Sequence, residues 1–132
     1  MEDSGEDRRT VLVLDDDDVL RRSIARVLEL EGYHVIQADD AHHAFTALAE
    51  HPGPVGVLLC DLVLPGLSGR EAASLIFARQ PDIRVLYTSG YSSHGSARQQ
   101  LLSAGEAFLA KPFEPSELVA AVDALFMEQQ PG

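Results

Sequence analysis

The sequence feature that most constrains the fold is an unbroken apolar run that ends in a carboxylate, within the segment VGVLLCDLVLP from Val55 to Pro65. Four apolar residues at 57–60 precede Asp61 without polar alternation, which is typical of a strand buried on both faces of a parallel sheet. A Pro-Gly pair at 65–66 ends the strand, and Gly69 permits a second bend before the next helix. A loop therefore holds Asp61 at the carboxyl edge of the sheet, where open α/β sheets bind ligands.

The length and composition indicate a single domain. A chain of 132 residues is long enough to bury about two thirds of its unfolded surface. Its only cysteine, Cys60, excludes an intrachain disulfide, and no apolar run has membrane-spanning length. The first residues, MEDSGEDRRT, lack the positive and then apolar regions of a secretion signal. We expect a cytoplasmic domain at residues 10–128, with a mobile arm at 1–9 and a tail at 129–132.

The charge of the chain limits its partners. A formal net charge of −11 argues against nucleic acid and against direct contact with an anionic membrane surface. A cation or a binding helix suits this charge better. Lys111 is the only lysine, whereas the other nine basic residues are arginine. A single lysine in an arginine-rich chain indicates a position that requires a compact point charge rather than a planar fork.

Strand and helix patterns alternate along the whole chain. Besides the run before Asp61, apolar runs of strand length occupy residues 11–14, 33–37, 83–88 and 108–110. Helical spacing follows the runs and begins near Val19, Asp39 or Asp40, Ala72, Ala97 and Pro115. Because parallel strands need crossover connections, this order predicts an α/β fold, a doubly wound (βα)5 five-stranded parallel sheet. The helix around Ala97 is the weakest of the five because serine and glycine surround it.

Polar residues end four of the five predicted strands. They are Asp15 and Asp16, Asp61, Ser89, and Lys111. With strand order 2-1-3-4-5, strands one and three are neighbours, so Asp15 and Asp16 lie beside Asp61. Carboxylates about 4 Å apart repel by roughly 4 kcal/mol per pair at an effective dielectric constant of about 20, so a cation is expected among them. Oxygen ligands with room for water and phosphate favour Mg²⁺.

The same residues suit phosphoryl transfer. A carboxylate can act as a nucleophile and form an aspartyl phosphate. Such transfer requires positioning and charge neutralisation above all. The metal, Lys111 and the Ser89 hydroxyl would supply both at Asp61.

Four motifs follow the first, third, fourth and fifth strands at matching intervals: LDDDD, CDLVLPGLSG, TSG and AKPF. These motifs resemble those of response-regulator receiver domains of two-component signalling, and the resemblance extends over residues 10–127. The resemblance implies the flavodoxin-like receiver fold and a phosphoacceptor signalling domain rather than an enzyme. Asp61 would accept phosphate from a histidine kinase or a histidine phosphotransfer domain. The resemblance is also compatible with a homodimer that forms on phosphorylation. The segments YTSGY and FLAKPF look most like receivers fused to hybrid sensor kinases, so such a segment and a stand-alone protein both stay open.

The resemblance also implies a ligand set for Mg²⁺. Asp16, Asp61 and the Val63 carbonyl would bind the ion, and Asp15 would act through water. A helical partner would lie along the first helix, around Leu20, Arg21 and Ile24, and along the loop at 65–68.

A switch and a phosphate-binding pair are implied as well. Ser89 and Lys111 would hold the phosphoryl group, and Ser89 with Phe108 would form the switch. The Lys111–Pro112 peptide is expected to be cis. Phe108 departs from receivers that carry tyrosine there, because phenylalanine cannot form a hydrogen bond and its switching must rest on packing alone.

Other interpretations fit parts of the pattern. A flavodoxin-like nucleotide binder shares the architecture, but four aspartates would repel the phosphate that its first loop binds. A haloacid dehalogenase phosphatase needs an acid two residues after the nucleophile, where this chain has Val63. The complete set of site residues disfavours a receiver fold that only docks partners. Taken alone, residues 15–18 suit a solvated acidic turn that caps the next helix as well as they suit a cation site. His42 and His43 are adjacent on a helix and are interpreted as exposed polar residues.

Overall fold

Five parallel strands and four helices make up the part of the chain that the computed structural model describes, residues 9–90 and 104–128. In chain order they are β1 (Thr10–Leu14), α1 (Asp18–Leu30), β2 (His34–Ala38), α2 (Ala41–Glu50), β3 (Val57–Asp61), α3 (Gly69–Arg79), β4 (Arg84–Gly90), β5 (Ala107–Lys111) and α4 (Pro115–Glu128). The strand order β2-β1-β3-β4-β5 confirms the sequence prediction. The helix predicted around Ala97, most of the arm and the tail lie outside the described residues.

Two apolar cores lie on opposite faces of the sheet. Alternate residues of β1 point to opposite faces, so Leu12 and Leu14 contribute to one core and Val11 and Val13 to the other. The first core packs against α2 and α3, and the second against α1 and α4. Every residue of β1 and β3 is buried. This burial is the reason for their continuous apolar runs, and it confirms the doubly wound arrangement.

Side-chain caps fix where the helices begin. The Asp17 side chain accepts a hydrogen bond from the backbone N–H of Leu20 at the start of α1, and Asp40 caps α2 in the same way. Ser68 and Glu71 form a capping box at the start of α3. The aspartates of the acidic run therefore have different roles, because Asp17 caps helix α1 whereas Asp15 faces the edge of the sheet. None of the described helices combines the length and apolar character needed to span a bilayer.

Gly69 is required for a different reason from the bend that the sequence predicts. It is the first residue of α3, and its N–H donates to the Leu62 carbonyl at 2.8 Å. A Cβ atom added at Gly69 would lie 2.1 Å from the backbone oxygen of Asp61 and 2.7 Å from the Leu62 Cα. Helix α3 thus begins in direct contact with the end of β3, and only glycine allows that approach.

Candidate functional site

The carboxyl ends of β1, β3, β4 and β5 meet at one edge of the sheet. Leu14 pairs with Cys60, Asp61 with Thr88, and Gly90 with Lys111 in the register of neighbouring strands. The polar residues that end these strands are therefore brought together although they are far apart in the chain. As predicted for strand order 2-1-3-4-5, the first and third strands are direct neighbours at this edge.

Lys111 joins two buried carboxylates at the centre of the edge. Its Nζ atom donates to Asp61 Oδ2 at 2.9 Å and to Asp15 Oδ2 at 3.0 Å. Asp15 is 2% exposed and Asp61 is 8% exposed, so both pairs lie largely away from solvent. Burial alone would lower the pKa of Lys111, but the hydrogen bonds to Asp61 and Asp15 outweigh it and raise the pKa above its ordinary value. The lysine is therefore held in its charged form.

Asp61 is fixed through both carboxylate oxygens. Oδ2 accepts the hydrogen bond from Lys111, and Oδ1 accepts one from the Val63 backbone N–H at 3.1 Å. Burial raises the pKa of Asp61 above its ordinary value, although Lys111 and the Val63 N–H favour the ionised form. A further cation beside the carboxylate would favour ionisation and hence nucleophilic character.

Three carboxylates form a group that is suited to a metal ion. Asp15, Asp16 and Asp61 each offer an oxygen atom within 4.8 Å of the other two. Asp15 Oδ1 already accepts a hydrogen bond from the Asp17 N–H at 2.9 Å, whereas Asp16 is exposed at the rim. An oxygen-only donor set with an open side has the chemistry of a hard-cation site.

Ser89 and Phe108 lie beside this centre rather than in it. Ser89 is buried, and its hydroxyl donates to the Gly90 carbonyl at 3.2 Å. Ser89 pairs with Ala110 in the sheet, so it is one position from Lys111 on the neighbouring strand. Phe108 pairs with Tyr87 and packs, half-buried, against the core under α2 and α3. The Lys111–Pro112 peptide is cis, as expected.

Arg21 is the site residue whose role the sequence interpretation missed. The sequence predicts Arg21 and Ile24 on the docking surface, but they are only 9% and 2% exposed, so this prediction is wrong for both residues. Instead the Arg21 guanidinium donates to the backbone carbonyl of Asp15 at 3.0 Å. The helical spacing of the sequence indicates this burial, because Arg21 lies on the same stripe of α1 as the buried residues Ile24, Ala25 and Leu28.

A second group of candidate ligands lies at the start of α2. Asp39, Asp40 and His43 also offer atoms within 4.8 Å of one another. The ring of His43 contacts both carboxylates, and its hydrogen bond to Asp39 raises the pKa of the imidazole above its ordinary value. His42 and His43 are both exposed, as expected. Capping and surface ion pairing account for this group.

Comparisons with known proteins point to one family. The model of the response regulator receiver domain matches residues 11–123. The chain is 31% identical over 120 residues to the sensor kinase CckA of Brucella abortus, covering 91% of this chain and 13% of the kinase. It is 28% identical over 119 residues to the response regulator receiver protein CpdR of the same organism, covering 90% of this chain and 98% of CpdR.

A solved structure agrees with these sequence matches. It is a CheY-like response regulator receiver domain protein from Methanospirillum hungatei JF-1, with a TM-score of 0.80 and 26% sequence identity. The similarity covers 92% of this chain and 96% of that one. The region that matches this chain thus forms nearly all of CpdR but only a small part of CckA.

Proposed function

This chain belongs to the response regulator receiver domains of two-component signalling, and we propose that Asp61 is its phosphoacceptor. The observation that carries the proposal is the contact of 2.9 Å between Asp61 Oδ2 and Nζ of the only lysine in the chain. Asp61 is also the carboxylate that the loop after β3 holds through the Val63 N–H. The receiver domain is proposed to extend over residues 10–128.

The proposed reaction is a displacement at phosphorus. An oxygen of the Asp61 carboxylate attacks the phosphoryl group of a phosphohistidine whose other ring nitrogen is protonated. The new O–P bond forms as the N–P bond breaks, and the ring leaves as neutral imidazole with the electron pair of the broken bond. Lys111 neutralises charge on the phosphoryl oxygens in the transition state. The Ser89 hydroxyl, which donates to the Gly90 carbonyl, would rotate away from that carbonyl to donate to the same phosphoryl group.

Mg²⁺ is the proposed cofactor. The carboxylates of Asp16 and Asp61 and the carbonyl of Val63 would hold it, with Asp15 acting through water. When bound, the ion supplies positive charge at the developing phosphate oxygens. The exposed position of Asp16 leaves the open side that a phosphoryl group requires.

The consequence of phosphorylation is proposed to be a switch in packing. Ser89 would move toward the phosphoryl group, and Phe108, which cannot form a side-chain hydrogen bond, would repack against the core under α2 and α3. We propose a cytoplasmic signalling domain that does not act as an enzyme on a separate substrate. It is proposed to bind no nucleic acid or membrane directly, and its phosphorylated form is compatible with a homodimer.

The first test is phosphorylation by a small donor. Incubation with acetyl phosphate and Mg²⁺ is expected to add one phosphoryl group to the full chain, measured by intact mass. Asp16→Asn should reduce labelling at limiting Mg²⁺ because one metal ligand is weakened, and Asp61→Asn should abolish it. Labelling of Asp61→Asn to the level of the parent, or labelling that ignores the removal of Mg²⁺, would contradict the proposal.

The partner surface is proposed to surround the acidic edge. Val19 in the first turn of α1 is 77% exposed, and Val63 beside Asp61 is 61% exposed. Val19 follows Asp16 by three residues and Val63 follows Asp61 by two, and their apolar side chains suit the apolar stripe of a partner helix that presents a histidine to Asp61.

Val19→Asp is expected to slow transfer from a phosphorylated histidine kinase or phosphotransfer domain at least tenfold, because it places a charge in an apolar contact. Labelling by acetyl phosphate should stay unchanged. Leu30→Asp is the matched control, since Leu30 is similarly exposed at the far end of the same helix. Equal slowing by both variants would place the docking surface elsewhere.

A further inference from the structure

Arg21 is the only buried basic residue in the described part of the chain. Its guanidinium contacts three different elements at once. It donates to the Asp15 carbonyl at 3.0 Å and to the Gln37 side chain at 3.3 Å, and it pairs with Asp18 at 2.7 Å. One side chain of α1 thereby connects the end of β1, the end of β2 and the first turn of its own helix.

The contact with Asp15 fixes a backbone plane. The Asp15 carbonyl belongs to the peptide that joins Asp15 to Asp16, and a planar peptide moves as one unit. Holding the carbonyl therefore fixes the position of the Asp16 Cα atom, from which the Asp16 side chain leaves the backbone. Across residues 9–90 and 104–128, no hydrogen bond holds the exposed Asp16 carboxylate, so its placement depends on the backbone that carries it.

We infer that Arg21 is a positioning residue for the metal site, acting through the Asp15–Asp16 peptide. The inference rests on the proposed function, since it concerns how the proposed ligands Asp15 and Asp16 are oriented toward Mg²⁺. Planar, bidentate-capable arginine suits this role because it can hold a carbonyl and an amide oxygen in one fixed geometry.

Charge and positioning have opposite effects on metal binding at this position. The positive charge of Arg21 opposes a nearby cation, so removal of the charge alone would strengthen Mg²⁺ binding. Loss of positioning would weaken it. The sign of the change in affinity therefore separates the two roles.

The experiment measures the dissociation constant for Mg²⁺ by calorimetry in the full-length parent, Arg21→Met and Arg22→Met. Arg22 is the matched control because it is adjacent, exposed and carries the same charge. Arg21→Met is expected to bind Mg²⁺ about tenfold more weakly, the effect typical of losing an outer partner of a metal ligand. Arg22→Met should bind as tightly as the parent. Arg21→Lys, which keeps the charge and one donor to the carbonyl, should recover part of the loss.

Amide hydrogen exchange of the metal-free proteins gives a readout that does not depend on the ion. Exchange at residues 15–17 should be faster in Arg21→Met than in Arg22→Met, beyond any change in global unfolding. If Arg21→Met does not fold, Gln37→Leu removes one partner of the guanidinium and should weaken Mg²⁺ binding several-fold.

Two results would overturn the inference: an Arg21→Met variant that binds Mg²⁺ as tightly as the parent or more tightly, or, where that variant does not fold, an unchanged affinity in Gln37→Leu. A parent that binds no Mg²⁺ would overturn the proposed metal site together with this inference. Normal binding by the parent with unchanged variants would overturn only the role of Arg21.

Discussion

Replacing Lys111 with methionine is expected to lower the free energy of unfolding of the metal-free protein by about 3 kcal/mol, the cost of breaking a buried ion pair by removing one partner. The ammonium group lies within 3.0 Å of carboxylates from two strands, and both carboxylates are buried. Without it, Asp15 and Asp61 face each other with no compensating charge. Phosphorylation by acetyl phosphate should also slow on the order of 100-fold, because a charge that stabilises the transition state is lost.

Denaturant unfolding and intact-mass labelling at saturating Mg²⁺ measure the two effects separately. The stability deficit should narrow when Mg²⁺ is added, since the ion supplies part of the missing positive charge, whereas labelling should stay slow. Lys111→Arg is the control: it keeps the charge and most of the stability, but a planar fork replaces the point charge at the phosphoryl position. Wild-type stability and labelling in Lys111→Met would show that the two ion pairs are dispensable.

Gly69→Ala is expected to lower the free energy of unfolding by about 3 kcal/mol and to impair labelling at Asp61, because overpacking against backbone atoms cannot be relieved by rotating a side chain. The added Cβ would lie 2.1 Å from the Asp61 oxygen, so the end of β3 or the start of α3 must move. Either movement displaces the backbone that carries the phosphoacceptor.

Two glycine variants calibrate this result. Gly66 has a φ of +83° with open space around it, so alanine there should cost only about 1 kcal/mol through backbone conformation. Gly53 has the His51 ring at 3.7 Å and an ordinary backbone conformation, so Gly53→Ala should be nearly neutral. Thermal and denaturant unfolding should show the largest loss of stability in Gly69→Ala, a smaller loss in Gly66→Ala and the smallest in Gly53→Ala. A Gly69→Ala protein as stable as Gly53→Ala would contradict the close approach of α3 to β3.

The sheet order and the meeting of Asp15, Asp61 and Lys111 were predictable from the sequence because they follow from one geometric fact. Parallel strands with right-handed crossovers carry their carboxyl ends to the same edge, so residues that end apolar runs must meet there. The register then brings Lys111 opposite Gly90 and Asp61 opposite Thr88. The positions of the apolar runs in the sequence are therefore enough to predict that Asp15, Asp61 and Lys111 meet.

The roles of Arg21 and Gly69 could not be predicted in the same way. A charged residue on the apolar stripe of a helix is usually read as exposed, and only three-dimensional contacts reveal that the Asp15 carbonyl and the Gln37 amide compensate its burial. The sequence predicts a bend at Gly69, since spacing reveals a glycine but not that a Cβ atom there would meet a backbone oxygen of another element. Both roles depend on atoms from segments that are distant in the chain.

The central claim, that Asp61 carries the phosphoryl group, is tested most directly by locating that group. The chain is phosphorylated with acetyl phosphate and Mg²⁺, reduced with borohydride, which converts an aspartyl phosphate to homoserine, and digested for peptide mass spectrometry. Our account predicts homoserine at position 61, with Asp15 and Asp16 unmodified and no conversion in the Asp61→Asn control. Homoserine at position 15 or 16, or conversion that persists in the Asp61→Asn variant, would contradict it.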